Sequence, residues 1–319
     1  MKRCVIVLAA ALFAAPLAAQ VYPSKPVRIV NAFAPGGPSD LVARTVAQKL
    51  QEAWGQPVIV EAKTGAAGNI GMEFVARAPA DGYTLGVAPT GNLVVNPHLF
   101  AKLPYDPFRD FAPVTLMATV ENVLVVHPDV PAKSVPELVA LARARPGTLN
   151  FASPGSGSQA HLAGELLKSM TGIDIVHVPY KGTGPALNDV MGGQVTMMFA
   201  QMSSALPQVR AGKLRALGVA SPRRSAAAPE FPTIAEQGLA GFEAVSWYAL
   251  VAPAGTPPEI VEKVQKEAAR ALQLPDVKER LAALGAEPVG GTPAELAARM
   301  RTESARWAAV VKAAGIKAD

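Results

Sequence analysis

One pattern constrains the fold of this chain more than any other: an apolar strand, a loop of glycine and small polar residues, and an amphipathic helix follow one another repeatedly. Residues 27–33 are an apolar run, 33–40 form such a loop, and 41–50 place their apolar side chains on one helical face. Strands that alternate with helices predict parallel strands, whose loops gather at the carboxyl edge of a sheet. The sequence therefore predicts an α/β protein with a ligand site among these loops.

The same pattern returns in the second half of the chain. Residues 148–152 read as a strand, 153–158 as a loop of small residues and 161–170 as a helix. Each half runs strand, loop, helix, strand, loop, helix, strand, loop. The further polar loops are predicted at 64–71, 89–92, 180–185 and 201–204. Two such units with facing loops make a two-lobed molecule with a cleft between the lobes.

Two long apolar stretches are suited to carry the chain between the lobes. Residues 114–126 form the predicted outward crossing, and 243–251 form the return. We therefore assign residues 21–121 together with 247–319 to lobe 1, and residues 122–246 to lobe 2.

The N-terminal residues 1–20 have the layout of a secretory signal peptide. Lys2 and Arg3 precede an apolar stretch, and 18–20 form a small-residue cleavage region. Export predicts a periplasmic protein, and Cys4, the sole cysteine, would leave with this segment, so no disulfide is expected. The full chain has a formal net charge of +5 and no dense Lys/Arg run with interleaved aromatics, so nucleic-acid binding is not expected.

The loop at 33–40 ends where a helix starts, and a helix start can bind a small anion. Gly36 and Gly37 let the backbone approach a bound group closely. Ser39 or Asp40 is placed to cap the helix, and the free N–H groups of its first turn then face the loop. A carboxylate would repel an anion, so we expect Asp40 to brace the loop rather than to touch the ligand.

Metal and catalytic chemistry have weaker support. None of the four histidines has a partner at a metal-binding spacing, so no metal or other cofactor is expected. Ser156 or Ser158 could pair with His161 as nucleophile and base, although neither lies in a Gly-x-Ser-x-Gly motif. Residues 155–160 match a loose dinucleotide fingerprint, but export favours a carboxylate ligand. Lys181 is the one cation predicted in a cleft loop.

Five motifs are informative when they are taken together. They are Phe33-Ala-Pro-Gly-Gly-Pro-Ser-Asp40, Gly65-Ala-Ala-Gly-Asn-Ile-Gly71, Ala78-Pro-Ala-Asp-Gly-Tyr-Thr-Leu85, Val178-Pro-Tyr-Lys-Gly182 and Gly192-Gly-Gln-Val195. With them the chain resembles the solute-binding proteins of the tripartite tricarboxylate transporter system, also called Bug-type receptors. The resemblance covers essentially the whole chain after the signal peptide. It implies a two-lobed periplasmic-binding-protein fold of type II, a Venus flytrap with two crossing strands.

The resemblance also implies a function. Such a receptor is not an enzyme; it holds a small carboxylate (a dicarboxylate, an amino acid or an aromatic acid) through neutral donors and delivers it to a membrane permease. We expect it to act as a monomer. The ligand-binding residues carried over to this chain are Ala34, Gly36, Gly37, Ser39, Thr90, Ser153, Ser156, Gly157, Ser158, His161 and Thr183, with Asp40 at the family's loop aspartate. Two other functions stay open: a periplasmic Ser/His hydrolase or lyase acting on a small acid, and a ligand sensor for a membrane kinase.

Overall fold

The computed structural model describes residues 22–180 and 182–316, so the predicted signal peptide at 1–20 and Lys181 lie outside the described residues. The strands are β1 (Val27–Asn31), β2 (Val58–Ala62), β3 (Thr84–Pro89), β4 (Phe111–Val120), β5 (Asn122–Val126), β6 (Asn150–Ser153), β7 (Val176–Pro179), β8 (Met197–Gln201), β9 (Arg215–Val219), β10 (Ser246–Pro253) and β11 (Ala286–Pro288). The helices are α1 (Pro38–Trp54), α2 (Asn69–Ala76), α3 (Asn96–Leu99), α4 (Val135–Ala144), α5 (Gln159–Thr171), α6 (Thr183–Met191), α7 (Met202–Arg210), α8 (Pro258–Leu272), α9 (Pro275–Ala283) and α10 (Pro293–Ala314).

The first sheet has six strands in the order β11-β4-β10-β3-β1-β2. β1 lies between β2 and β3 and is parallel to both, with Ile29 opposite Val60 on one side and Leu85 on the other. β10 is antiparallel to β3 and to β4, and β11 is antiparallel to β4. Because β1, β2 and β3 point the same way, the loops that follow them meet at one edge of the sheet.

The second sheet repeats this arrangement with five strands in the order β7-β6-β8-β5-β9. β6 is parallel to β7 and to β8, and β5 is antiparallel to β8 and to β9. In both sheets the first strand of the parallel unit lies between the second and the third, and an antiparallel strand follows the third. The predicted α/β architecture of two duplicated units is therefore confirmed.

The chain crosses between the sheets at two places that lie side by side. β4 and β5 are separated by Glu121 alone, so the run predicted as the outward crossing, 114–126, forms two strands, one in each sheet. It breaks because the backbone leaves the hydrogen bonds of one sheet for those of the other. The return strand starts at Ser246, later than predicted, because the carbonyl of Ala244 instead accepts a hydrogen bond from Nδ2 of Asn122 at 2.7 Å.

Helix α10 connects elements of both sheets. Its side chains Leu296, Met300 and Trp307 are buried in a core that also contains Val30 of the first sheet and Phe151 of the second. The helix packs against β4 and also against α5. α10 therefore cannot be assigned to one sheet by its contacts. The lobe limits predicted from the sequence stay a prediction.

Two segments predicted as polar loops are helical instead. After β3, the chain enters a π-helical turn at Gly91–Val95 and then α3, whereas the sequence predicts a loop at 89–92. After β8, α7 begins at Met202, where a loop is predicted at 201–204. Both helices start with polar residues. These interrupt the regular spacing of apolar residues from which a helix is predicted. Among the described residues, no helix is long and apolar enough to cross a membrane.

Candidate functional site

A cavity of about 400 Å³ lies where loops of the two sheets meet. One wall comes from the first sheet and its following segments, the facing wall from the loop after β6, and the start of β10 completes the lining. The lining residues are Phe33, Ala67, Pro89, Thr90, Gly91, Asn92, Asn96, Leu99, Phe100, Pro154, Gly155, Ser156, Gly157, Ser158, Gln159, Ser246, Trp247 and Tyr248.

The start of α5 forms the wall on the side of the second sheet. Ser158 is the N-cap residue, and its Oγ accepts a hydrogen bond from the backbone N–H of His161 at 3.3 Å. Gly157 has a φ of +76°, and its N–H donates to Nδ1 of His161 at 3.0 Å. The positive φ favours glycine here, and an added Cβ would lie 2.8 Å from Cδ1 of Leu99, so that side chain would have to move. The N-terminus of a 13-residue helix thus faces the cavity through small residues.

Two stacked histidines pack behind the loop at 153–158. The rings of His161 and His177 are 3.7 Å apart and 8° from parallel, with Phe151 beside them. Nε2 of His177 is 2.7 Å from Oγ of Ser153, a fully buried residue at the loop start. Burial, the neighbouring His177 and Lys168 lower the pKa of His161 to about 3. Burial and Lys168 lower the pKa of His177 to about 4, so both rings are neutral at neutral pH.

Trp247 is fixed at its backbone and at its ring. Oγ1 of Thr90 accepts a hydrogen bond from the N–H of Trp247 at 2.7 Å and donates to its carbonyl oxygen at 3.1 Å. The indole Nε1 donates to Oε2 of Glu303 on α10 at 2.9 Å. Burial raises the pKa of the Glu303 carboxyl, against the opposing charge of Arg299, whose Nε is 2.7 Å from Oε1. The hydroxyl of Thr90 is therefore used to hold β10 in place.

A network of amides organises the wall on the side of the first sheet. Oδ1 of Asn69 accepts hydrogen bonds from Asn96 Nδ2 at 2.7 Å, from the Tyr105 hydroxyl at 3.1 Å and from Asn92 Nδ2 at 3.3 Å. Nδ2 of Asn92 also donates to the carbonyl of Ala67 at 3.1 Å. Ala67 has a φ of +53°, a conformation that costs a residue with a Cβ about 1 kcal/mol or more and needs such support.

The predicted cap of α1 is wrong. Gly37 is the N-cap residue, and no side chain caps the helix. The helix begins at Pro38, so Ser39 and Asp40 already lie within its first turn. The hydroxyl of Ser39 donates to Oδ1 of Asn31 at 2.9 Å instead.

Asp40 braces the loop that precedes α1. Its Oδ2 accepts a hydrogen bond from the N–H of Gly36 at 3.0 Å and another from Nε of Arg44 at 2.9 Å. Burial alone would raise the pKa of this carboxyl, but these two hydrogen bonds hold it below its usual range. The loop conformation therefore depends on an ionised Asp40.

The cavity brings together four of the predicted ligand-binding residues: Thr90, Ser156, Gly157 and Ser158. The others are not in its lining: Ala34, Gly36, Gly37, Ser39 and Asp40 belong to the first loop, Ser153 and His161 lie behind the second loop, and Thr183 begins α6. Ligand contact by the eight predicted residues outside the lining stays a prediction. Sequence reasoning missed Asn92, Asn96 and Gln159, for which polar residues at helix starts were the available signal.

The nucleophile–base pair considered from the sequence is not formed in the described part of the chain. The hydroxyl of Ser158 contacts the backbone of His161 rather than its ring, and Ser156 has no hydrogen bond to that ring. Ser–His side-chain contacts present there join Ser153 to His177 and Ser304 to His98; Ser304 lies on α10, outside the cavity lining, and Ser153 is fully buried. A substrate in the cavity would not reach that hydroxyl.

Comparison with known proteins identifies the family. Residues 42–316 match the model of the tripartite tricarboxylate transporter family receptor. This chain belongs to that family. The predicted two-lobed periplasmic-binding-protein fold is confirmed by solved relatives, among them a periplasmic transporter structure with 43% identity and a TM-score of 0.79, covering 93% of this chain and 100% of that one.

Individual relatives are similar to this chain over nearly their whole length. The protein BugT of Bordetella pertussis is 41% identical over 313 residues, which are 98% of this chain and 96% of that protein. An R. palustris protein solved with adipate is 38% identical with a TM-score of 0.80, covering 93% of this chain and 99% of that one. MatC from Rhodopseudomonas palustris, solved with bound malate, is 38% identical with a TM-score of 0.76, covering 91% and 100%.

Proposed function

We propose that this protein is a periplasmic solute-binding receptor that captures a small carboxylate between its two lobes and delivers it to a tripartite tricarboxylate-type membrane transporter. Membership of the receptor family supports the receptor role. Relatives solved with adipate and with malate support an acid as the ligand. The observation that carries the proposal is the cavity between loops of both sheets, whose described lining contains no charged side chain.

A carboxylate can be held without a counter-ion when several neutral donors converge on it. The N-terminus of α5 provides a favourable dipole, and the hydroxyls of Ser156 and Ser158 lie beside it. Charge-assisted hydrogen bonds of this kind are about twice as strong as neutral ones. Closure of the lobes would exclude water and strengthen them further. We propose binding without catalysis or a cofactor, by a monomer in which the loops at 33–40 and 153–158 belong to opposite lobes.

Calorimetry against a panel of small acids tests the binding role. The panel contains malate, adipate, glutamate, hexanoate and benzoate, with hexanamide as a neutral control. We expect at least one acid to bind with a heat signal that hexanamide lacks. Absence of binding by every acid would contradict the carboxylate assignment.

A matched pair of glycine variants tests whether binding occurs between the walls. Gly157→Ala adds a methyl group 2.8 Å from Cδ1 of Leu99 and should weaken binding of the acid found above by about ten-fold or more, because it displaces a side chain that lines the cavity. Gly212→Ala is the control: its φ of +70° imposes the same backbone strain, but no atom lies within 4 Å of the new Cβ. If both variants bound the acid with equal affinity, the ligand would not lie between the two walls of this cavity.

Delivery to a transporter needs a separate experiment. The protein is captured from membranes of a producing strain with and without the acid, and co-purifying integral membrane proteins are identified. We expect ligand-dependent recovery of transporter subunits. Recovery of a membrane kinase instead would favour the sensor role.

A further inference from the structure

We infer that the ion pair between Arg223 and Glu287 opposes closure of the ligand cavity, so that removing the pair tightens ligand binding. Neither residue lines that cavity. Arg223 follows β9 of the second sheet and Glu287 lies in β11 of the first, so the pair joins the two sheets. Such control of affinity rests on the proposed receptor function and concerns the same ligand site.

The ion pair and the ligand cavity lie on opposite sides of the point where the chain crosses between the sheets. β4 continues into β5 through Glu121. On one side of this run lie β11 in the first sheet and β9 in the second; on the other side lie β10 and β3 in the first sheet and β8 and β6 in the second. The ligand cavity is lined by segments that follow β3 and β6, whereas Arg223 and Glu287 lie on the side of β9 and β11. The crossing strands therefore separate the two places.

The sheets are in contact on the side of β9 and β11. A second cavity, of about 450 Å³, lies there and is lined by Pro288 of β11 and by Pro222 after β9. Arg223 and Glu287 belong to the same lining. A Cβ added to Gly285, directly before β11, would lie 2.8 Å from Cβ of Ser203 on α7, so these two segments pack against each other. The contacts on this side of the crossing are thus already made in the described conformation.

The ligand cavity is open to solvent in the same conformation. Phe33 and Ser156 line it from opposite walls, and both residues are exposed. A ligand enclosed by both walls therefore requires the sheets to approach each other on this side. Because the crossing strands are the covalent connection about which the sheets rotate, narrowing the ligand cavity widens the gap on the side of β9 and β11. Closure must then stretch the ion pair between Arg223 and Glu287.

The strength of the ion pair sets the size of the effect. The side chains of Arg223 and Glu287 are 74% and 48% exposed, so water and salt screen their attraction. The free energy needed to separate the pair is subtracted from the free energy of binding, because only the closed form encloses the ligand. For an exposed pair this amounts to a change in affinity of about two- to five-fold.

Calorimetry on a matched pair of arginine variants tests the effect. The probe is the acid from the panel of malate, adipate, glutamate, hexanoate and benzoate that binds the wild-type protein. Arg223→Gln should bind it about two- to five-fold more tightly at about 20 mM salt, with a smaller gain at about 500 mM salt, because salt screens the pair. A merely structural contact would not give tighter binding when it is lost.

Arg224→Gln is the control for Arg223→Gln. Nε of Arg224 pairs with Oε2 of Glu236 at 2.9 Å, and the two side chains are 48% and 46% exposed. Both residues lie between β9 and β10, so this pair does not join the sheets. Arg224→Gln should therefore retain the wild-type affinity at both salt concentrations.

A double-mutant cycle with Glu287→Gln attributes the gain to the pair. Each single variant and the double variant should show the same gain, because one interaction is removed in all three. The inference is overturned if Arg223→Gln binds the acid no more tightly than the wild type, if Arg224→Gln shows the same gain, or if the two single gains multiply in the double variant. The wild-type protein still binds the acid in each of these results, so the receptor proposal would survive them. Binding of none of the five acids would refute the receptor proposal and the control of affinity together.

Discussion

Lowering the pH should destabilise the folded protein through the stacked pair of His161 and His177. In the unfolded chain each imidazole has a pKa of about 6.5, whereas in the fold the pKa of His161 is lowered to about 3 and that of His177 to about 4. The unfolded chain therefore binds protons first as the pH falls. The stability that depends on the neutral pair is complete above about pH 6.5 and is lost as the pH falls toward about 4.

The size of the effect follows from these values. One pKa unit corresponds to about 1.4 kcal/mol. A pH of about 5 is about 1.5 units below the unfolded pKa of each ring and still above its folded pKa, so each histidine lowers the free energy of unfolding by at most about 2 kcal/mol, and by less for the partly exposed His177, where solvent screens the charge. The local cause is visible in the structure: Nδ1 of His161 accepts the N–H of Gly157, and a proton on that nitrogen would break this bond beside a ring 3.7 Å away.

Urea unfolding at about pH 7 and about pH 5 measures the effect. His177→Gln removes one titrating ring and should reduce the loss of stability between the two pH values by about 1–2 kcal/mol. Ser153→Ala is the matched control, since it removes the hydroxyl partner of His177 at 2.7 Å but keeps the imidazole. It should lower stability at both pH values and retain most of the wild-type pH dependence. A wild-type pH dependence in His177→Gln would refute the reasoning.

Three further variants test the packing and the networks behind the cavity. Gly164→Ala places a Cβ 2.2 Å from the ring of Phe151, so it should lower stability by about 1–3 kcal/mol in thermal or urea unfolding despite the better helix propensity of alanine; an unchanged midpoint would contradict this packing. Glu303→Leu leaves the indole N–H of Trp247 unpaired and should cost about 3 kcal/mol or more, with a changed near-ultraviolet circular dichroism signal, whereas a silent substitution would exclude the hydrogen bond. Asn69→Ala removes an oxygen that accepts three hydrogen bonds and should cost about 2 kcal/mol or more in urea unfolding; a loss below about 0.5 kcal/mol would show that the network is dispensable.

The duplicated layout could be predicted from the sequence because it is encoded locally. Apolar strands of a few residues, each followed by a glycine-containing loop and an amphipathic helix, gave the parallel units β1–β3 and β6–β8. The prediction failed where the signal is not local. Glu121 is the one charged residue in the run 114–126, but a single charge does not show that the backbone changes sheets there. Likewise, the polar residues Gln201, Ser203 and Ser204 hide the start of a helix whose buried face contacts β8 only in the fold.

The candidate site, too, could be predicted only in part from the sequence. Small residues at 153–158 before a helix were enough to predict a place where an anion could approach backbone and hydroxyl groups. The use of each polar side chain could not be predicted, because its partner is distant in the chain: Thr90 bonds to Trp247, and Trp247 bonds to Glu303.

The sequence by itself thus determined the repeated strand, loop and helix units, the receptor family and the loops from which a ligand site is built. The tertiary structure alone decided which donors in those loops are still free. Each polar group can satisfy only a limited number of hydrogen bonds, and the crossing strands and α10 determine which of them are satisfied within the protein.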